Sequence, residues 1–390
     1  MTSHDTVGEQ THRLTTATGH LEPPLAALDL VALEANAADL VRRAAGKPVR
    51  IASKSVRCRA VLELALATPG VRGVMAYSLR EAIWLVRGGV ADVLMGYPSA
   101  DRAALAELCE DPTLQASITI MIDSVAQLDF IRQVAGAAPL RVCLDVDASL
   151  RIARAHLGVR RSPLRSPQDA AAVARGAAER GFRVVGVMFY EAQIAGLPDS
   201  SRAVRLMKRR SAGELARRRG AVTAAVEQVS GTLETVNSGG TGSIEVSSAD
   251  PCVTEVTAGS GLYVPTLFDH YDAFDPRPSL FFALAVVRRP SDDIATVFGG
   301  GYIASGPPGR TRVPSPVASG MSLIGTESAG EVQTPVRGAA AAGLRIGDRV
   351  WFRHAKAGEL CERFDKIHVV EGDTVVDVVP TYRGEGKNFG

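Results

Sequence analysis

From Val49 to Ala258 the chain alternates between short runs of aliphatic and β-branched residues and longer stretches with apolar positions at helical spacing. The short runs are Val49–Ser53, Gly73–Tyr77, Asp92–Tyr97, Ile118–Asp123, Arg141–Asp147, Val184–Tyr190, Leu233–Asn237 and Val253–Ala258. Between them, Ser55–Ala67, Ser78–Gly88, Ser99–Cys109 and Ser124–Ala135 each open on a serine suited to cap a helix and then place apolar residues every three or four positions. Eight strands with helical crossovers predict a (β/α)8 TIM-type barrel, with an open doubly wound sheet as the competing topology. After about Asp275, Pro- and Gly-rich turns punctuate short strand-like runs at Phe281–Val287, Ala295–Phe298, Arg349–Phe352, Lys366–Val370 and Thr374–Val379. That pattern predicts a smaller antiparallel β domain. The division expected is therefore a polar, disordered leader over 1–20, the barrel over 21–275 and the β domain over 276–390. Within the barrel segment, Leu21–Leu30 reads as a short extended piece before a helix over Leu33–Ala45.

A length of 390 residues suits one large barrel and a second, smaller domain. A formal net charge of +2 gives no reason to expect nucleic acid. The arginine-rich stretches Lys208–Arg210 and Arg217–Arg219 read as the solvated face of one helix. Five cysteines without a paired spacing fit a reducing cytoplasm. No apolar run approaches the roughly 18 residues of a membrane span.

The ends of the predicted strands carry the chemistry. Strand one ends on Lys54, one of only six lysines. The other five (Lys47, Lys208, Lys356, Lys366, Lys387) sit in polar or loop-like surroundings. An ammonium at the end of a buried strand needs a partner or a lowered pKa, and such an amine can form a Schiff base with a carbonyl. Strand six ends at Tyr190-Glu191. Strand seven runs into Asn237-Ser-Gly-Gly-Thr-Gly-Ser243 and strand eight into Thr257-Ala-Gly-Ser-Gly261. Gly/Ser/Thr-rich turns let backbone N–H groups converge on a phosphate, and barrels often bind phosphate after strands seven and eight. A phosphate site opposite a Schiff-base lysine describes pyridoxal 5'-phosphate (PLP).

The lysine closing strand one, Gly239-Gly-Thr-Gly242 after strand seven and Thr254-Glu-Val-Thr-Ala-Gly-Ser260 at strand eight resemble the D-threonine aldolase and D-serine dehydratase group. These are PLP enzymes with the alanine-racemase (type III) fold, a barrel followed by a β domain. Asp92–Pro98 and Met121–Ser124 are similar to the group's strands three and four, and the resemblance runs from about Leu21 to the C-terminus. It implies that Lys54 carries the internal aldimine and that Tyr190 serves catalysis. It also implies that Asn237, Ser238, Gly239, Gly240, Thr241, Gly242, Gly259 and Ser260 bind the cofactor. A divalent metal, zinc or manganese, held by His354 and Cys361 is implied as well, together with a small amino-acid substrate and a homodimer. No nucleic-acid or membrane partner is expected.

Three stretches depart from the group's pattern. Six residues separate His354 from Cys361, where the group has one between its metal ligands, and Glu359 is a harder alternative donor. His156-Leu-Gly-Val159 stands where relatives carry Arg-x-Gly-Val; His156 is expected to bond the cofactor's phenolic oxygen or act as acid/base, with Arg160 or Arg161 as the other source of a cation. Tyr190–Gly196 lacks the downstream histidine of a threonine-cleaving enzyme, and Gln193 cannot replace it as a base. The function expected is a PLP-dependent lyase on D-configured β-hydroxy amino acids, by retro-aldol Cα–Cβ cleavage or by β-elimination. The alternatives are a racemase, which needs a second base, commonly a tyrosine from the β domain of a partner subunit, with Tyr263 or Tyr302 as its source, and a non-catalytic PLP carrier.

Overall fold

All eight apolar runs become strands of one closed parallel barrel. The computed structural model describes residues 3–275 and 277–390. Its barrel strands one to eight are Val49–Ala52, Val71–Ala76, Val93–Met95, Ile118–Ile122, Arg141–Val146, Arg183–Phe189, Thr235–Ser238 and Glu255–Ala258. Strand eight pairs with strand one, Val256 beside Val49 and Ala258 beside Ile51, so the sheet closes and the doubly wound alternative is excluded. Val49, Ile51, Val74, Val93, Leu144 and Val187 are fully buried in the layer between strands and helices.

Two of the four expected serine caps form: Ser78 accepts from the Glu81 N–H and Ser124 from that of Gln127. After strand one the chain first makes a 3-10 turn, Ser53–Ser55, and the helix Arg59–Leu66 starts later with Cys58 at its cap. That turn is what carries Lys54. Ser99 instead accepts from the Asp101 N–H, and Asp101 caps Arg102–Glu110.

The β domain contains the five expected strands, as Leu280–Ser291, Ile294–Phe298, Arg349–Arg353, Lys366–Glu371 and Thr374–Pro380, and adds Gln333–Arg337 and two short pieces. Its sheet also takes in a strand from the start of the chain. Leu25–Asp29 runs antiparallel to Leu280–Ser291 on one side and parallel to Lys366–Glu371 on the other. The extended piece assigned to the barrel therefore belongs to the other sheet, and the boundary expected at Pro276 falls on a residue outside the described ones.

The leader is also corrected: Ser3–Ala17 is a helix, while Met1 and Thr2 lie outside the described residues. Leu14 and Ala17 pack with Leu25, Phe281 and Trp351, the Trp351 indole N–H donates to the Thr15 hydroxyl at 2.8 Å, and Arg13 pairs with Asp29 at 3.1 Å. With so narrow an apolar face, the helix depends on tertiary contacts for its stability.

A third correction concerns the arginine-rich helix, Arg202–Ser230. Lys208 pairs with Asp199 at 2.8 Å, and Arg219 is buried against Asp250 and the Ser238 hydroxyl. Only part of that face meets solvent. Among the described residues no helix is long and apolar enough to cross a membrane.

Candidate active site

The carboxyl ends of the barrel strands and the facing edge of the β domain enclose a cavity of about 320 Å³, the size of a small-ligand site. Lys54 projects into it from the 3-10 turn, and its Nζ donates to the Tyr97 hydroxyl at 2.8 Å. The same nitrogen lies 5.5 Å from the centre of the Tyr97 ring and 5.9 Å from that of Tyr190. The Arg161 guanidinium also faces both rings, at 5.5 and 5.6 Å. Burial by itself disfavours the Lys54 ammonium. The Tyr97 and Tyr190 phenols and the hydrogen bond to Tyr97 outweigh it, so the amine is held above the usual lysine range. Burial pushes the Tyr97 phenol up, but Lys54 and Arg161 bring it below its ordinary value. The partnered state anticipated for Lys54 is thus supplied by a phenol.

Two turns face this amine. Gly239, with φ of +103°, starts the turn after strand seven, and Gly239, Gly240, Thr241, Gly259 and Ser260 all line the cavity. The second turn leaves no room for a side chain: a methyl group on Gly259 would stand 2.5 Å from the Ala52 carbonyl oxygen. The turns are tied together, because the Thr241 hydroxyl accepts from the Gly261 N–H at 2.9 Å. Ser260 donates to Ser55 at 3.1 Å, which joins the phosphate-type turn to the segment carrying Lys54.

Glu191 organises the first turn from behind. Fully buried, its carboxylate accepts from Ser238 at 2.9 Å, Ser243 at 2.8 Å, Ser247 and the Gly239 N–H. Four donors around one carboxylate satisfy its acceptor capacity and fix the loop's shape. Ser238 is therefore a support, bonded also to Arg219. Gly242 is a packing position, since a methyl group there would stand 2.3 Å from the Tyr271 ring. Asn237 reaches the cavity, but its amide is committed to Glu255 at 2.7 Å and Thr257 at 2.8 Å.

The remaining candidates fall elsewhere. His156 sits on a small hairpin, Leu150–Ile152 with Ala155–Leu157, its Nε2 3.0 Å from the Val159 carbonyl oxygen, and it does not line the cavity; Arg161 does. His354 is buried, both ring nitrogens lack a hydrogen-bond partner, and burial together with Arg353 pushes its imidazole down to about 3. It opens on a neighbouring cavity of about 280 Å³ that shares Arg57, Lys356 and Glu359 with the main one. The buried Cys361 thiol, raised by desolvation, faces the Tyr263 hydroxyl at 4.0 Å. Neutral and unpartnered, His354 has the chemistry of a ligand. A full donor set does not accompany it, because among the described residues no group of three or more His, Cys, Asp or Glu is placed to hold an ion. His354 and Glu359 line one cavity, whereas Cys361 faces Tyr263 outside it, so the implied His354–Cys361 pair is not assembled.

Sequence reasoning passed over three cavity residues. Tyr97 ends strand three as Lys54 ends strand one, which was a usable signal. Arg161 had entered only as an alternative to His156. Lys356, two residues beyond His354, was set aside as a surface-type lysine, and it lines the same cavity as Lys54.

Comparison with known proteins gives a consistent picture. The family described as alanine racemase, N-terminal domain, matches residues 28–266. A D-threonine aldolase of Arthrobacter sp is 28% identical over 287 residues, 70% of either chain. The solved D-threonine aldolase of Filomicrobium marinum superposes with a TM-score of 0.79 at 20% identity, covering 93% of this chain and 96% of that one. D-threo-3-hydroxyaspartate dehydratase from Delftia sp. HT23 gives 0.73 at 19% identity over 93% and 97%. Alanine racemase from Bacillus anthracis gives 0.64 at 13% over 93% and 99%. At these identities the structures share the fold.

Proposed function

The chain belongs to the alanine racemase N-terminal domain family, and from that premise we propose that it is a PLP-dependent lyase acting on D-configured β-hydroxy amino acids. One observation carries this reading: a lysine amine, held by a phenol, enters a cavity lined by two glycine turns in which Gly240 and Gly259 leave no room for a side chain. The names of the similar proteins, an aldolase and a dehydratase of D-β-hydroxy amino acids, support the substrate class.

The site fits PLP. Lys54 would hold it covalently, the backbones of Gly239–Thr241 and of Gly259–Ser260 would take the phosphate, and Tyr97, Tyr190 and Arg161 would surround the ring. When bound, PLP supplies an electron sink for the bonds at Cα. The chain's own contribution is placement. Glu191 and its three serines fix the phosphate turn, Tyr97 orients the Lys54 amine, and that amine moves a proton at Cα. His156 takes no part in this arrangement, and Arg161 supplies the cation once expected of it.

Neither tyrosine weighed for the racemase lines the cavity of its own chain, and Tyr263, fully buried, is closed to a partner's cavity as well. Tyr263 donates to the Val56 carbonyl at 3.0 Å, and the Tyr302 ring packs on Phe282 and Phe364. The lyases also superpose better than the racemase does. A homodimer is part of the proposal, supported by the exposed Phe298, Ile303 and Val332 of the β domain; light scattering tests it.

Purified protein reconstituted with PLP is expected to show a visible absorbance band that borohydride removes. Incubation with D-threonine, D-serine and D-3-hydroxyaspartate then separates the routes, glycine plus aldehyde reporting C–C cleavage and 2-oxo acid plus ammonia reporting elimination. A colourless reconstituted protein overturns the cofactor; a coloured protein inert on all three leaves only the carrier.

A further inference from the structure

We propose that the Lys356 ammonium is the electrophilic contact for the substrate's β-oxygen, the position a divalent metal would otherwise fill. The inference rests on the lyase reading above and adds a residue to it.

The loop carrying Lys356 is docked on the barrel mouth at three points. The Thr266 N–H donates to the His354 carbonyl at 3.1 Å, and the Leu267 N–H to that of Ala355 at 3.3 Å. Gly358, with φ of +90°, lies so close to strand one that a methyl group on it would stand 1.9 Å from the Lys54 carbonyl oxygen. The backbone on either side of Lys356 is thereby fixed against the segment that holds Lys54 and the strand-eight side of the mouth. Within the loop, Lys356 Nζ donates to the Ser305 carbonyl at 3.0 Å and its hydroxyl at 3.2 Å, its only hydrogen-bond partners among the described residues. The nearby Glu359 carboxylate accepts from the Ser305 N–H at 3.0 and 3.2 Å.

The other cations of the cavity are engaged differently. Lys54 meets Tyr97, Arg57 pairs with Glu362 at 2.8 Å, Arg161 faces the two tyrosine rings, and Arg312 donates to the Thr311 carbonyl and hydroxyl at 3.0 and 3.1 Å. Lys356 is left as an ammonium in the roof, on the β-domain side, opposite the glycine turns. Negative charge develops on the β-oxygen in either lyase route. In C–C cleavage the hydroxyl proton passes to solvent water, the O–H pair forms the aldehyde C=O, and the Cα–Cβ pair moves to Cα, where a proton completes glycine. In elimination the Cα–H pair forms the Cα=Cβ bond, and the C–O pair departs with the oxygen, which leaves as water after taking a proton. A positioned cation donating a hydrogen bond to that oxygen stabilises the transition state of both. The donor set around His354 does not assemble an ion for this task.

The test uses PLP-loaded wild type, Lys356→Met and Lys356→Arg, compared after dialysis against a chelator and with metal content measured. The proposal expects substoichiometric metal and undiminished wild-type turnover after dialysis. For Lys356→Met it expects kcat on the β-hydroxy substrate to fall ~10²–10³-fold with a smaller change in KM, and Lys356→Arg to recover part of the loss. The visible spectrum, and its change on adding D-alanine, which has no β-oxygen, should match wild type in both variants. Lys356→Met turning over within about threefold of wild type overturns the proposal, as does turnover lost to chelator and restored by zinc or manganese. An altered D-alanine response in Lys356→Met also overturns it, since the residue would then act on the whole site. A colourless wild type instead refutes the lyase reading itself.

Discussion

The two ends of the barrel handle charge in opposite ways. At the amino end of the strands, Arg50 is buried and bonded to Glu255 at 2.8 Å and to Asp92 at 2.9 Å, while Arg141 pairs with Glu234 at 2.6 Å. Both guanidiniums meet carboxylates, and Arg50 holds Asp92 below the usual carboxylate range although burial works against it. At the carboxyl end, Lys54, Arg161 and Lys356 meet phenols, aromatic faces and a serine. Among the buried acids at this end, which include Asp123, Asp147 and Glu191, Asp145 is pushed up to about 7, by burial first and then by Asp123, despite the opposing Arg161. One end is electrically complete in itself. At the other, Lys54, Arg161 and Lys356 have no carboxylate partner among the described residues, and an anionic cofactor with an amino-acid carboxylate would supply one.

Substitutions at the two ends should therefore fail in different ways. The largest effect is expected from Lys54→Ala, which should abolish turnover and borohydride-resistant attachment of the cofactor while leaving thermal unfolding near wild type; retained attachment would assign the nucleophile elsewhere. At the opposite end, Glu255→Ala removes a partner from a buried guanidinium and should cost about 3–5 kcal/mol of stability, read by urea unfolding. An equal loss from Lys54→Ala would erase the contrast between the ends. Asp145 gives a subtler signature. Its folded-state pKa is raised, so the stability it contributes is complete below about pH 4 and is lost as pH rises through 7. Asp145→Asn should flatten that slope and gain about 2–4 kcal/mol over wild type between pH 4 and pH 8; parallel stability-against-pH curves would show that the acid is not strained. The smallest effect is expected from His156→Ala, with kcat/KM within about threefold of wild type, because its ring bonds a local carbonyl outside the cavity.

The barrel was legible because its pattern is local. Each strand is a short aliphatic run between helical stretches, and each strand end shows its chemistry in sequence, so Lys54 and both glycine turns stood out together. What stayed hidden depends on partners far along the chain. Leu25–Asp29 is an ordinary apolar run whose neighbours begin at Leu280 and Lys366, and nothing within it names them. The helix Ser3–Ala17 reads as polar because its burial depends on Trp351 and Phe281. Arg161 was obscured by spacing: the chain turns a small hairpin between strand five and the cavity, so the cation arrives five residues after the histidine that aligned with it. Lys356 was missed for a different reason. Its loop surroundings are real, but the loop is pressed onto strand one, and only tertiary packing shows which solvent-like lysine faces a cavity.

The place of Leu25–Asp29 in the middle of the β-domain sheet bears on how the protein is made and how it can be cut. Leu25–Asp29 precedes all eight barrel strands in the chain, yet its two neighbours, Leu280–Ser291 and Lys366–Glu371, follow all of them, so the sheet cannot assemble until the barrel strands have been made. Cleavage between the domains near Asp275 would not yield two independent pieces. The first would carry an apolar strand with no neighbours, the second a sheet with an open slot, and each exposes the kind of edge that invites aggregation. Barrel and β domain are in this respect a single folding unit, sewn together by a strand that precedes the barrel.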